Sequence, residues 1–173
     1  LWTCRRDPLG VPVADDYSFL AWLRFHKPLG LFDSMGAAFY WRPLSRQLYF
    51  SVASGALFSA PWIAATINVT ALLVTGAALF GIARRVFPPP VAATIAMIPL
   101  LSEPARVLIA WPSGAQHLLA GMFAAVALHE AFAARWTTAV VAAGCGVLSH
   151  ELALLALPAM PLIAWRRARL ACG

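Results

Sequence analysis

The sequence predicts an all-α membrane protein, a polytopic transmembrane helical bundle of about five or six membrane helices with an N-terminal interfacial loop that carries short surface helices. Three observations lead there. Hydrophobic residues fill 61% of the 173 positions and charged residues only 12%, with a mean hydropathy of +0.75, where a soluble domain carries roughly 25% charge. From Gln47 to Ala83 no charge appears for 37 residues, about 55 Å as one helix against a hydrocarbon core of about 30 Å. Basic residues gather at the ends of apolar stretches, Arg84 with Arg85, then Arg135, then Arg166, Arg167 and Arg169, as cytoplasmic anchors do.

The same numbers exclude other classes. Disorder needs low hydrophobicity and much charge. Three cysteines, Cys4, Cys145 and Cys172, cannot staple a chain of this length and form no metal-ligand spacing. The net charge of +6 follows membrane topology rather than a nucleic-acid surface, because its cations are grouped at helix ends. The chain opens on Leu1 with no secretory signal ahead of the first loop, and the expectation is a fragment of a longer reading frame. It is read as a single membrane domain over 1–173, with an extracytoplasmic loop over 1–46 and transmembrane helices over 47–173.

Residues 1–46 hold six of the 13 basic and four of the seven acidic residues, a composition suited to a membrane surface. Trp22, Phe39, Tyr40, Trp41 and Tyr49 fit an interfacial aromatic belt, and Asp16 to Lys27 reads as a surface helix. In the uncharged stretch Ser59-Ala60-Pro61 is the expected break, since proline suits a first helical turn and not an interior. This gives a first helix near 44–58 and a second over 61–83. Pro88-Pro89-Pro90 forces a turn, Val91 to Leu101 is a short apolar run, and Ser102-Glu103-Pro104 opens a loop ending in Trp111-Pro112-Ser113-Gly114. Residues 115–134 are the clearest span. Residues 136–165 are expected to be two short helices meeting at His150-Glu151, because that arrangement puts Arg84, Arg85, Arg135, Arg166, Arg167 and Arg169 on one face and Asp15, Asp16, Glu103 and Glu151 on the other. The positive-inside rule makes the acidic face extracytoplasmic.

Asp15-Asp16 is the sharpest chemical feature. Adjacent carboxylates repel, which raises one pKa, and an ionised carboxylate can take a proton from an acceptor hydroxyl or amine; the pair also reads as a helix cap. Arg42, beside Tyr40-Trp41, can grip a phosphate with two N–H groups or snorkel to lipid headgroups. Arg24, Lys27, Arg46 and Arg106 share that choice. Glu103 and Glu151 end membrane segments, and an ionisable pair such as His150-Glu151 at membrane depth is costly unless it faces a cavity. His117 and His129 read as packing residues on apolar helices.

The ordered set Asp15-Asp16, Trp41-Arg42-Pro43-Leu44, Asn68, Glu103, Trp111-x-Ser113-Gly114, Leu118-Leu119 and Ser149-His150-Glu151 with Pro158 resembles the N-terminal membrane half of polyprenyl-phosphate-dependent glycosyltransferases of the GT-C fold, similar to protein O-mannosyltransferases. The resemblance covers residues 13 to 169. It implies that Asp15-Asp16 lies in the first extracytoplasmic loop as the catalytic acid pair, after a first membrane helix. It further implies a polyprenyl-phosphate sugar donor, a protein, glycan or lipid acceptor, and substrate-binding roles for Arg42, Glu103, Trp111, His150 and Glu151. No metal ligand is assigned; a divalent metal is left open. Relatives often carry Ser-Lys-Glu where this chain has Ser149-His150-Glu151. The expectation is hexosyl or pentosyl transfer on the outer face of a bacterial inner (plasma) membrane, with no nucleic-acid partner. The rivals are a polytopic transporter or lipid-binding protein without transferase activity, in which His150-Glu151 relays protons or binds a solute, and a structural fragment without activity.

Overall fold

The computed structural model describes residues 9–25 and 41–172, and among these every regular element is helical. In chain order they are α1 (Asp16–Phe25), a π-helical turn (Pro43–Leu48), α2 (Tyr49–Ala53), α3 (Ala56–Ser59), α4 (Trp62–Ala83), α5 (Pro89–Leu101), α6 (Glu103–Ala110), a 3₁₀ turn (Pro112–Gly114), α7 (Ala115–Phe132), α8 (Trp136–Ser149), a second 3₁₀ turn (Glu151–Ala156) and α9 (Ala159–Cys172). Lys27, Phe39 and Tyr40 lie outside the described residues.

α7 is the hub, packed on α4 along one side and on α8 along the other. The seams are made of small side chains that let backbones approach closely. Ala127 meets Ala142 and Ala143, and Ala131 meets Ala139 with Ile163 of α9. A second core forms where α1 and α2 cover the start of α4: Phe50, fully buried, stacks edge-on against Phe19 and Tyr49 at 5.1 Å each. Tyr49 is therefore a core residue (7% exposed) and not a member of an interfacial belt.

Several breaks fall where the sequence places them. Ala60 leaves helical backbone and Pro61 caps α4, whose 22 residues end at Ala83 with Arg84 as the closing cap. Pro88 is extended and Pro89 and Pro90 open α5, the first-turn positions that tolerate a missing N–H. His150 is extended (φ −165°, ψ 140°) and separates α8 from the 3₁₀ turn, so residues 136–165 break at His150 as expected, with the 3₁₀ turn and the start of α9 in place of a single second helix. Two expectations need correction. Residues 44–58 keep helical backbone through Leu48, Ser54 and Gly55, but as the π turn and two α-helical pieces of five and four residues rather than one regular helix. The expected loop after Leu101 is mostly α6, capped by the Ser102 hydroxyl, which accepts the Ala105 N–H at 3.4 Å.

Trp62–Ala83 is long and apolar enough to cross a membrane; α5 and α6 would add a second crossing if they form one span bent by 51°. The span expected over 115–134 is the 18-residue α7, Ala115–Phe132, and it is not among the helices apolar enough to cross a membrane, because Gln116 and His117 at one end and His129 and Glu130 at the other lower its hydropathy.

Candidate functional site

The chain just before α1 is bent at two residues of positive φ, Gly10 and Ala14. Gly10 (φ +73°) brings its N–H to the Ala110 carbonyl at 2.9 Å, and a Cβ there would lie 2.0 Å from the Pro61 oxygen; only glycine fits. Ala14 takes φ +46°, and this turn sends the two adjacent aspartates to different places. Asp16 is fully buried, whereas Asp15 is exposed and gives only its carbonyl to the Phe19 N–H at 3.1 Å.

Every donor around the Asp16 carboxylate is a local or docking group. Oδ2 accepts the Val13 N–H at 2.9 Å, and Oδ1 accepts the Ser113 N–H at 2.9 Å and the Ser113 hydroxyl in a short bond. Desolvation pushes the Asp16 carboxyl above its usual range; its hydrogen bonds oppose that, and repulsion from Asp15 is the smallest contribution. Mutual repulsion is thus not what sets this pair apart: burial is. Asp16 clamps the N-terminal segment onto the Trp111–Gly114 corner. That corner explains its own sequence, since Ser113 supplies two donors and a Cβ on Gly114 would sit 2.4 Å from the Leu108 oxygen. Asn68 of α4 secures the corner from beneath, donating from Nδ2 to the carbonyls of Leu108 and Trp111 at 3.0 Å each. Trp111 accordingly serves the scaffold through its backbone.

The π turn sets the polar site. Arg42, its cap residue, donates Nε and Nη2 to Glu151 Oε2 and Oε1 at 2.9 and 2.6 Å and Nη1 to Gln116 Oε1 at 2.6 Å. Ser45 in the turn donates to the Ser149 carbonyl, which ties the turn to the end of α8. Arg46, 5% exposed, lies over the Phe19 ring at 4.3 Å from its centroid. Burial and the neighbouring Arg42 lower its pKa, while Asp15 acts in the opposite sense, so the guanidinium of Arg46 stands within electrostatic reach of both. His117 and His150 stack with ring centroids 4.5 Å apart. The Leu152 N–H donates to His150 Nδ1 at 3.1 Å, which leaves the ring proton on Nε2.

Arg42, His150 and Glu151 are therefore brought together, 109 positions apart in the case of Arg42 and Glu151. Glu103 is elsewhere: on the first turn of α6 it accepts Arg106 Nε at 2.9 Å, and Arg106 holds its carboxyl below the usual range. Gln116 is the participant that motif reasoning passed over, while Ser113 and Arg46 were named without these partners. An apolar groove of about 510 Å³ begins on the same π turn at Leu44 and Leu48 and runs along Val52, Ile63 and Ile67 to Leu119. A further hollow of about 270 Å³ continues it past Thr66, Thr70 and Met122.

Among the described residues no three His, Cys, Asp or Glu side chains converge to hold a metal. The polar site lies where α7 begins, and Arg84, Arg85, Glu130 and Arg135 lie where it ends: Arg85 donates to the Phe132 carbonyl at 3.2 Å and Arg135 pairs with Glu130 at 2.6 Å. Sixteen residues of helix, about 24 Å, separate the two groups. Comparison with protein-family models, with curated proteins and with solved structures finds no match to this chain.

Proposed function

We propose that the chain is the membrane portion of an inverting glycosyltransferase that takes a sugar from a polyprenyl-phosphate donor on the extracytoplasmic face of a bacterial inner membrane, within a polytopic GT-C-like bundle. The observation that supports the reading is the guanidinium fork of Arg42, on the turn that also carries Arg46, at the head of an apolar groove that starts on that turn, with the exposed carboxylate of Asp15 just ahead of α1. A lipid-linked sugar phosphate needs these three together: a slot for the chain, a fork for the phosphate and a base for the acceptor.

In this mechanism Asp15 is the base, and Asp16 is not. Asp15 accepts the proton of the acceptor hydroxyl as that oxygen bonds to the anomeric carbon. The bond from that carbon to the phosphate oxygen breaks, and the electron pair leaves on polyprenyl phosphate, whose charge Arg42 and Arg46 stabilise. His150 offers at most its Nε2–H as a neutral donor. Glu103 has no part in this scheme. The basic groups at the far end of α7 are the cytoplasmic anchors.

The test is incorporation of radiolabelled hexose or pentose from synthetic polyprenyl-phosphate donors into membranes carrying the protein, beside membranes without it. Donor-dependent label in the first alone is the expected result. No incorporation with any donor, together with proton-coupled solute uptake in proteoliposomes, would replace this reading with the transporter.

A further inference from the structure

Arg42 is already holding an anion. Two of its nitrogens meet the two oxygens of one carboxylate, the planar two-point geometry that a guanidinium offers equally to carboxylate and phosphate. The partners are unequally committed. The Arg42 side chain is only 11% exposed, while that of Glu151 is 56% exposed. Gln116 holds the third nitrogen of Arg42 at 2.6 Å and keeps the guanidinium in place whatever sits on the fork. Glu151, in contrast, opens a 3₁₀ turn entered through the extended residue His150, and its carboxylate can swing into water at little cost because a half-solvated pair gains little net energy.

We infer that Glu151 is an internal stand-in for a phosphate group: it closes the Arg42 fork when the site is empty and is displaced when the phosphate of a ligand arrives. This rests on the reading of Arg42 as the phosphate-binding residue. The arrangement keeps an anion on the two fork nitrogens between turnovers. It also weakens binding of the phosphate by the strength of the internal pair, which favours release of the polyprenyl-phosphate product.

The test is binding of decaprenyl phosphate to the protein in phosphatidylcholine nanodiscs, and of inorganic phosphate to the protein in detergent, at one fixed salt concentration. Four forms are compared: wild type, Glu151→Gln, Glu151→Asp and Arg42→Gln. Asp keeps the negative charge but is one methylene too short to close the fork, so it separates displacement from simple repulsion and also serves if Glu151→Gln does not fold. Both Glu151 variants should bind decaprenyl phosphate about fivefold tighter than wild type, and Arg42→Gln should abolish binding. If inorganic phosphate follows the same order, the fork selects the phosphate group itself; if it does not bind, the lipid chain is required, and the stand-in role holds in either case. Unchanged or weaker binding by Glu151→Gln overturns the stand-in role, and so does tighter binding by Glu151→Gln with none gained by Glu151→Asp. Unaltered binding by Arg42→Gln instead removes the phosphate reading on which the inference rests.

Discussion

Replacing Asp16 with Ala strands three donors at once: the Val13 N–H, the Ser113 N–H and the Ser113 hydroxyl. A buried donor without a partner costs about 1–3 kcal/mol, and such costs overlap when the donors share one acceptor. Part of the loss is returned, since burial already disfavours the charged carboxylate and its removal relieves that penalty. The balance is about 2–3 kcal/mol near neutral pH, roughly a 30- to 150-fold loss in the folded-to-unfolded ratio. Asp16→Asn keeps the acceptor facing Ser113 but turns an amide toward the Val13 N–H, for a loss of about 1–2 kcal/mol. Unfolding of the detergent-purified protein measures both, with Asp15→Asn, at an exposed position, as the control within about 0.5 kcal/mol of wild type. The pH dependence has a definite sign. A carboxyl whose folded-state pKa is raised contributes fully below the usual carboxylate range and loses that contribution as pH climbs through the folded value. The gap between wild type and Asp16→Ala should therefore narrow from acid to neutral pH. A gap under about 0.5 kcal/mol at neutral pH, or one that widens as pH rises, would refute the clamp.

Other substitutions test the close approaches and the support beneath the corner. Gly10→Ala and Gly114→Ala drive a methyl into backbone oxygens at 2.0 and 2.4 Å and should each cost more than about 2 kcal/mol in the same unfolding assay. Gly81→Ala meets only the His129 ring, at 2.7 Å, which can rotate away, so its cost should stay below about 1 kcal/mol. Asn68→Ala removes the side-chain donor from the Leu108 and Trp111 carbonyls, of which Trp111 keeps the Gly114 N–H at 2.9 Å, and should cost about 1–2 kcal/mol, read as faster proteolysis at the corner by limited digestion.

What the sequence reveals here is punctuation. Pro61, Pro88 and the polar pair His150-Glu151 mark real breaks, because proline acts locally on the backbone and an ionisable pair acts locally on solvation. Missing charge between Gln47 and Ala83 says nothing of continuity, so the π turn and the short α2 and α3 were hidden inside an apparently uniform apolar run. Ser102-Glu103-Pro104 belongs equally to a loop and to a capped helix start, and only the packed structure separates them. The candidate residues were legible as types, while their pairings were not. Asp16 and Ser113 are 97 positions apart, and nothing in a run of two aspartates tells which one turns inward. That choice is made by the positive φ of Ala14 and the corner that Gly114 permits.

The central claim is that the exposed aspartate, not its buried neighbour, is the base of a lipid-phosphate sugar transfer. The most direct measurement is the single-turnover rate of label transfer from a polyprenyl-phosphate donor in membranes with matched protein levels, for wild type, Asp15→Asn and Asp16→Asn. The account predicts a fall of about 100-fold or more for Asp15→Asn, with Asp16→Asn retaining a rate close to wild type in whatever protein remains folded. Full activity in Asp15→Asn, or its loss in folded Asp16→Asn alone, would contradict it.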